Sequence, residues 1–327
     1  MQEQKFVNGV KILSLIDKLK KRILYSIIFA AVVVLGLLIY ADFNSIISAF
    51  VDFGWIYLPI ILILTVFNYI VRFYKWDFYL STIGVDIGKK NSAIVFFSGL
   101  IMSITPGKLG EVLKSYLLKQ TNDVSISRTA PVVFAERLTD IVGLIILSSV
   151  GVVIYQYGIS VMVVTLLIIS AVVSIIQSRK LSLKLIEFGE KLPFISKFAH
   201  HLHELYESAY ILLKFRPLSI TILLSIVSWF FECIAMWYVF KGFGLDLSML
   251  VATFVFAFSS VAGAVSMLPG GLGVAEGSIV GLLLTMDVSK ATATGSALII
   301  RFCTLWFGVV VGIIVVLFYQ NKLEKIN

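Results

Sequence analysis

The chain has 327 residues, of which 59% are hydrophobic and 14% are charged, with a formal net charge of +8 and a mean hydropathy of +0.99. A soluble domain of this length needs a larger polar surface, so the composition excludes a soluble globular protein and indicates one that crosses a membrane several times. Cys233 and Cys303 both fall in apolar sequence, so no disulfide framework is expected.

Six apolar runs are long enough to cross about 30 Å of hydrocarbon, which takes roughly 20 helical residues. They cover residues 23–41, 55–80, 131–156, 159–177, 218–240 and 293–319. Two further apolar segments, 93–119 and 249–285, are broken by Pro-Gly pairs, and each is predicted to be a re-entrant helical hairpin because lipid cannot satisfy the exposed backbone. The predicted fold class is an all-α polytopic membrane protein with six transmembrane spans plus two re-entrant helical hairpins.

Lysine and arginine are concentrated in alternate connections. They are frequent before the first span, at 89–90, in 178–217 and after the last span, whereas the connections 42–54 and 157–158 have none. Cytoplasmic connections carry the basic excess, so we expect a multi-pass protein of the cell membrane with both termini cytoplasmic. Orientation and attraction to anionic headgroups explain these stretches, so no nucleic acid partner is expected. The histidines at 200, 201 and 203 lack metal-site spacing, and no metal or other cofactor is expected.

The second half of the chain repeats landmarks of the first half. Matching positions are separated by 160 to 164 residues: Trp76 and Trp237, Gly84 and Gly244, Pro106 and Pro269, Arg137 and Arg301. One span lies between the two units, so the second unit is predicted to be an inverted-topology repeat of the first. We therefore divide the chain into a cytoplasmic amphipathic segment with the first span (1–54), repeat 1 (55–158), a connecting helix with a basic cytoplasmic segment (159–217) and inverted repeat 2 (218–327).

The Pro-Gly breaks are candidate substrate-binding sites. A half-helix that starts at such a break presents free N–H groups and the positive end of its dipole, which attract phosphate. Lys108 adds a cation to the first break, where its counterpart is Gly271. The alternative is that Pro-Gly only makes a turn between short helices. The candidate residues are Pro106, Gly107, Lys108 and Gly110 in the first break and Pro269, Gly270, Gly271 and Gly273 in the second.

Ionisable residues inside the bilayer are costly and are functional candidates by default. Repeat symmetry predicts that Arg137 pairs with Glu111 and that Arg301 pairs with Glu276, either to bind substrate or to clamp the hairpins. Three further carboxylates are candidates for coupling or for structure. Glu136 and Asp140 lie one helical turn apart beside Arg137, whereas Glu232 lacks a basic neighbour and either couples transport to protons or faces an interface.

Three motifs resemble a known family. The sequences PGKLGE at 106–111, ERLTD at 136–140 and PGGLGVAE at 269–276 are similar to the flippase-like membrane domain of lysylphosphatidylglycerol synthases (multiple peptide resistance factors). This family also includes stand-alone bacterial and archaeal proteins, and the resemblance covers about residues 55–319. It implies a translocase that moves a lipid, often phosphate-bearing, between leaflets.

The same resemblance bears on the cargo. The aminoacyl-transferring domain of the synthases has no room in the eight residues after Tyr319, so lysyl transfer is not expected. Stand-alone members are associated with other lipids, such as polyprenyl-linked sugars or hopanoids.

The favoured hypothesis is a non-enzymatic lipid translocase. Its expected partner is a membrane lipid of the phospholipid or polyprenyl-phosphate type, with a homodimer left open. One alternative is an integral-membrane enzyme that acts on a lipid phosphate with Glu111 or Glu276 as acid or base, although no Ser-His or Cys-His arrangement lies in the apolar segments. Another is a small-solute or ion carrier on the same frame. No catalytic residue is assigned, and the absence of a P-loop excludes an ATP-driven pump within this chain.

Overall fold

The computed structural model describes residues 24–105, 109–190 and 199–324, and within these ranges the chain is helical without strands. Five helices are long and apolar enough to cross a membrane: Trp55–Thr82, Ile126–Tyr155, Ile159–Gln177, Phe215–Gly242 and Lys290–Tyr319. A sixth span results if Leu24–Tyr40 and Phe43–Val51, which meet at 93°, are counted together. The prediction of an all-α polytopic membrane protein is confirmed.

The helices follow the predicted apolar runs closely. In chain order they are α1 (Leu24–Tyr40), α2 (Phe43–Val51), α3 (Leu58–Thr82), α4 (Lys89–Gly99), α5 (Leu113–Asn122), α6 (Ile126–Tyr155), α7 (Ile159–Gln177), α8 (Arg179–Glu190), α9 (Ala199–Leu212), α10 (Phe215–Gly242), α11 (Met249–Val265), α12 (Val274–Leu284), α13 (Lys290–Arg301) and α14 (Phe307–Glu324). A π-helical turn, Phe302–Trp306, joins α13 to α14 within the last span.

Equivalent helix ends in the two halves have the same local geometry. Gly84 follows α3 and Gly244 follows α10, each with φ of 70°. In both cases the next residue donates its amide back across the cap, Val85 to the Leu80 carbonyl and Leu245 to the Phe240 carbonyl, at 2.9 Å. Glycine ends a helix in this way because it adopts the left-handed conformation without strain.

The beginnings of α6 and α13 are also alike. Each is preceded by Asp-Val-Ser, with the aspartate in the left-handed region at Asp123 (φ 54°) and Asp287 (φ 60°). The serine then caps the helix: Ser125 accepts from the Arg128 amide and Ser289 from the Thr292 amide. A serine hydroxyl satisfies an amide that the first helical turn leaves without a partner.

Two helices are interrupted where the Pro-Gly motifs occur. After α4 the chain continues as a 3-10 helix, Leu100–Ile104, and a second one, Leu109–Val112, leads into α5. Between them lie Thr105 and then Pro106, Gly107 and Lys108, and the last three are outside the described ranges. The second break runs from 266 to 273, between α11 and α12.

The two breaks meet inside the protein. Ile104 from the first and Leu272 from the second share an apolar cluster with Ala30 of α1 and with Leu305 and Val309 of the last span. A Cβ placed on Gly270 would lie 3.5 Å from the Ile104 Cα. The last turn of the first interrupted helix therefore lies against the second break.

Glycines let the long helices pack closely. A Cβ on Gly143 of α6 would lie 3.0 Å from the Ser225 Cβ of α10, and one on Gly151 would lie 2.4 Å from the Phe254 Cβ of α11. No hydrophobic driving force acts between helices in lipid, so close van der Waals packing at small residues stabilises their crossings. In contrast, α7 exposes most of its apolar side chains, including Leu167 and Ile168, as expected of a helix that faces lipid.

Candidate functional site

A fully buried carboxylate, Glu136, lies at the centre of a charged cluster. It accepts hydrogen bonds from Arg72 Nη2 at 3.1 Å and from Lys114 Nζ at 2.6 Å. Arg137 Nη2 on the same helix donates to it at 2.8 Å. Three helices, α3, α5 and α6, are thus joined through one side chain.

Two further carboxylates complete the cluster. Glu111 lies 3.3 Å from both Lys114 Nζ and Arg137 Nη2. Asp140 accepts from Lys75 Nζ and lies 3.2 Å from Arg137 Nη2. The predicted contact between Arg137 and Glu111 is confirmed, as is the flanking of Arg137 by Glu136 and Asp140.

The cluster carries an excess of positive charge. Among the described residues, four cations, Arg72, Lys75, Lys114 and Arg137, face three carboxylates, Glu111, Glu136 and Asp140, which gives a formal net charge of +1. Buried charges are tolerated only when paired and hydrogen-bonded. This excess is therefore the property of the site that needs an explanation.

Aromatic rings and a glycine accommodate the buried cations. Lys114 Nζ lies 4.5 Å from the centroid of Trp76, and the Arg72 guanidinium carbon lies 5.6 Å from that of Trp229. The stem of Lys114 passes over Gly99, where a Cβ would lie 2.6 Å from its Cγ. Cation–π contacts partly replace the hydration that these cations lose on burial.

The second predicted pair is also present and holds the second break. Arg301 Nε donates to Glu276 Oε1 at 2.5 Å, and Arg301 Nη2 donates to the Gly270 carbonyl. Glu276 in turn accepts from the Gly273 amide at 2.6 Å. The pair therefore caps the start of α12 and ties the break to the last span.

The expectation about the second break is corrected in part. We expected its amides to be free for an anion, but Gly271 N donates to the Leu268 carbonyl at 2.9 Å and Leu272 N to the Pro269 carbonyl at 3.0 Å. The Gly273 amide is taken by Glu276. The break satisfies these donors internally because its consecutive tight turns bring carbonyls back onto them. Fewer backbone donors are therefore left for an anion at this break.

A cavity of about 390 Å³ lies between the two breaks and the long helices. Its walls are mostly apolar. The predicted site residues among its lining are Arg137, Asp140, Glu232, Gly270, Gly271 and Arg301. Glu111, Glu136 and Glu276 lie behind this wall as partners of the arginines.

The remaining candidates shape the breaks. Gly110 donates its amide to Thr105 Oγ1 at 2.9 Å, and a Cβ there would lie 2.6 Å from that same oxygen. Gly273 adopts φ of 84° at the N-cap of α12. Pro269 supplies the carbonyl that closes the turn onto Leu272. Gly110, Gly273 and Pro269 are therefore placed to hold backbone geometry.

Comparison with known proteins decides the family. The family model described as "Lysylphosphatidylglycerol synthase TM region" matches residues 26–312. The chain belongs to this family. The match confirms the resemblance seen in the three motifs and extends it to α1.

Several archaeal membrane proteins are similar to this chain over most of its length. A UPF0104 membrane protein of Methanothermobacter thermautotrophicus is 24% identical over 91% of this chain and 93% of its own length. One from Methanocaldococcus jannaschii is 27% identical over 69% of this chain and 96% of its own length. One from Pyrococcus horikoshii is 25% identical over 74% of this chain and 81% of its own length. These names describe membrane proteins and state no activity.

Sequence reasoning missed three buried cations of this family member: Arg72, Lys75 and Lys114. The signal was present in α3, where polar residues recur every three or four positions and so share one helix face. All of them are buried. They are Thr65, Asn68, Arg72, Lys75 and Tyr79. Arg72 and Lys75 escaped notice because basic residues near the end of a span normally serve orientation.

Glu232 differs from the other carboxylates of this synthase TM region. Its residue is only 1% exposed, and it accepts a hydrogen bond from Thr65 Oγ1 at 3.2 Å. No lysine or arginine of the described residues lies within ion-pair distance of it. It lines the cavity, in the wall formed by α3 and α10.

Proposed function

We propose that the protein is a non-enzymatic lipid translocase that moves a phosphate-bearing lipid between leaflets. The headgroup passes through the cavity while the acyl chains stay in the bilayer. The observation that carries the proposal is the pair of part-exposed guanidinium groups, Arg137 and Arg301, in a mostly apolar cavity wall whose third arginine, Arg72, is almost fully buried against Glu136.

The geometry of the two arginines supports an anionic ligand group. Their side chains are 18% and 16% exposed, whereas the carboxylates that neutralise them are nearly fully buried behind them. In the part of the chain that the structure describes, Nη1 of neither arginine has a hydrogen-bond partner. Guanidinium groups bind phosphate well because their fork of donors matches its oxygens.

Two exposed apolar residues in the cavity wall support a lipid as the ligand. Phe134 of α6 and Met267 of the second break line the cavity and are 49% and 60% exposed. A ligand in the cavity can therefore extend between them into the surrounding hydrocarbon. The volume of about 390 Å³ lies in the range of small-ligand sites, roughly 300–1,000 Å³.

We further propose that the two interrupted helices are re-entrant hairpins in inverted repeats, which rock about the cavity in alternating access. The equal caps at Gly84 and Gly244 support a repeat. The arginine pairs at equivalent positions and the meeting of the two breaks also support it. The charge asymmetry of the connections supports cytoplasmic termini in the cell membrane.

Purified protein in liposomes tests this function against the alternatives. Fluorescent phospholipid that becomes accessible to a membrane-impermeant quencher, with unchanged lipid mass, is the expected result. Altered lipid mass would instead indicate an enzyme, and ion flux without lipid movement would indicate a solute carrier. Either of these two results contradicts the proposal.

A further inference from the structure

We propose that Glu232 forms an ammonium-binding subsite, so that the headgroup taken by this cavity carries a primary ammonium as well as a phosphate. This inference rests on the proposed translocase function and names its substrate class. The ligand is then a zwitterionic, ethanolamine-type phospholipid.

Glu232 has few hydrogen-bond donors around it. The neighbouring donors on α3 are already engaged: Asn68 Nδ2 donates to the Ser228 carbonyl at 2.8 Å, and the Tyr69 hydroxyl donates to the Thr304 carbonyl at 2.6 Å. Arg72 donates to Glu136. Glu232 is left with one hydroxyl donor, from Thr65. A buried carboxylate can accept about four hydrogen bonds, so this one has capacity for a ligand.

The formal charges of the whole described site balance when Glu232 is included. The cluster around Glu136 has a net charge of +1. Arg301 and Glu276 cancel. When a bound ammonium holds Glu232 in its ionised form, the formal charge of its carboxylate brings the described site to zero. A site that is neutral overall but separated into a positive and a negative part is complementary to a zwitterion.

The two arginines and Glu232 belong to different parts of the cavity wall. Arg137 and Arg301 belong to the two breaks through their bonds to Glu111 and to Gly270. Glu232 instead belongs to the contact between α3 and α10 through Thr65. Arg72 and Asp140 also line the cavity, but they are paired with Glu136 and Lys75. The cavity thus offers two part-exposed guanidinium groups beside the breaks and the Glu232 carboxylate in the wall formed by α3 and α10. A headgroup whose phosphate lies against the arginines can direct its ammonium to Glu232.

The chemistry of the amine separates three common headgroups. A primary ammonium donates three hydrogen bonds and suits a carboxylate. A choline group has the same charge but no N–H donor, and a glycerol headgroup has no positive charge and leaves the Glu232 carboxylate unpaired. Rejecting a ligand that leaves a buried charge unpaired is an effective source of specificity.

Liposomes with tail-labelled lipids test the proposal. We expect wild-type protein to move phosphatidylethanolamine at least about tenfold faster than phosphatidylglycerol or phosphatidylcholine, which corresponds to about 1.4 kcal/mol. Glu232→Gln should reduce the ethanolamine rate about tenfold and leave the glycerol rate unchanged or higher. The matched control is Glu207→Gln, an exposed carboxylate paired with Arg179, which should preserve the wild-type preference.

Two outcomes would overturn the ammonium subsite. One is a wild-type protein that moves the three lipids at equal rates or prefers phosphatidylglycerol, a result that needs no variant to fold. The other is a Glu232→Gln protein with the wild-type preference. If wild-type protein moves no lipid at all, the proposed translocase function fails as well, and the two failures are thereby distinguished.

Discussion

Glu136 and Arg137 are adjacent in sequence, yet neutralising one or the other changes the net charge of the buried cluster in opposite directions. Glu136→Gln raises its net charge from +1 to +2, whereas Arg137→Gln lowers it to zero, since four cations face three carboxylates. Removing one partner of a buried ion pair costs about 3–5 kcal/mol. We expect that loss for Glu136→Gln and a clearly smaller one for Arg137→Gln, measured as thermal unfolding in detergent.

The control for this comparison is an exposed ion pair. Arg179 and Glu207 lie 3.0 Å apart with both side chains about half exposed. Arg179→Gln should change stability by less than about 1 kcal/mol. Equal melting temperatures for the Glu136 and Arg137 variants would contradict the charge balance on which the site description depends.

At the scale of single elements, the second break depends on glycine at position 271. This residue has φ of 68°, and a Cβ there would lie 3.0 Å from the Gly263 Cα. A left-handed conformation costs a residue with a Cβ about 1–2 kcal/mol, and the contact is with backbone that cannot move aside. Gly271→Ala should therefore lower the melting temperature and slow lipid movement.

Gly277 provides the matched control for that substitution. It lies in the same helix as Glu276, and a Cβ on it would meet no atom within 4 Å. Alanine is favoured over glycine in a helix by up to about 1 kcal/mol. Gly277→Ala should leave the melting temperature unchanged or raise it, and a loss equal to that of Gly271→Ala would show that the tight turn is not the cause.

The elements themselves could largely be predicted from the sequence. Apolar runs gave helices such as 159–177 at the same bounds as α7, and Pro-Gly marked both interruptions. Repeat symmetry gave the Arg301–Glu276 pair. The partners of Glu136 could not be predicted, because Arg72 and Lys114 reach it from other elements and no local spacing connects them. The internal satisfaction of the second break's amides depends on its consecutive turns, which residue types alone do not specify.

At the scale of the whole molecule, the contact between the two breaks should separate during transport. Ile104 and Leu272 pack in one apolar cluster, so cysteines at both positions can be joined by a short thiol-reactive linker that contains a reducible disulfide. The background removes the two buried native thiols, Cys233 and Cys303. We expect cross-linking to stop lipid movement and reduction to restore it, with each single-cysteine variant unaffected by the linker. Full transport by the cross-linked protein would exclude alternating access between the breaks.

The most direct test of the account is the transport rate after loss of the two cavity arginines. Hydrogen bonds to charged groups contribute about 1.5–3 kcal/mol each, or roughly ten- to a hundredfold in rate. In liposomes that contain folded Arg137→Gln or Arg301→Gln protein, a tail-labelled phospholipid should cross at least about tenfold more slowly than with wild type, and the double variant should be slower still. Arg179→Gln should match wild type. A folded double variant that moves lipid at the wild-type rate would contradict the central claim that these two guanidinium groups carry the headgroup phosphate.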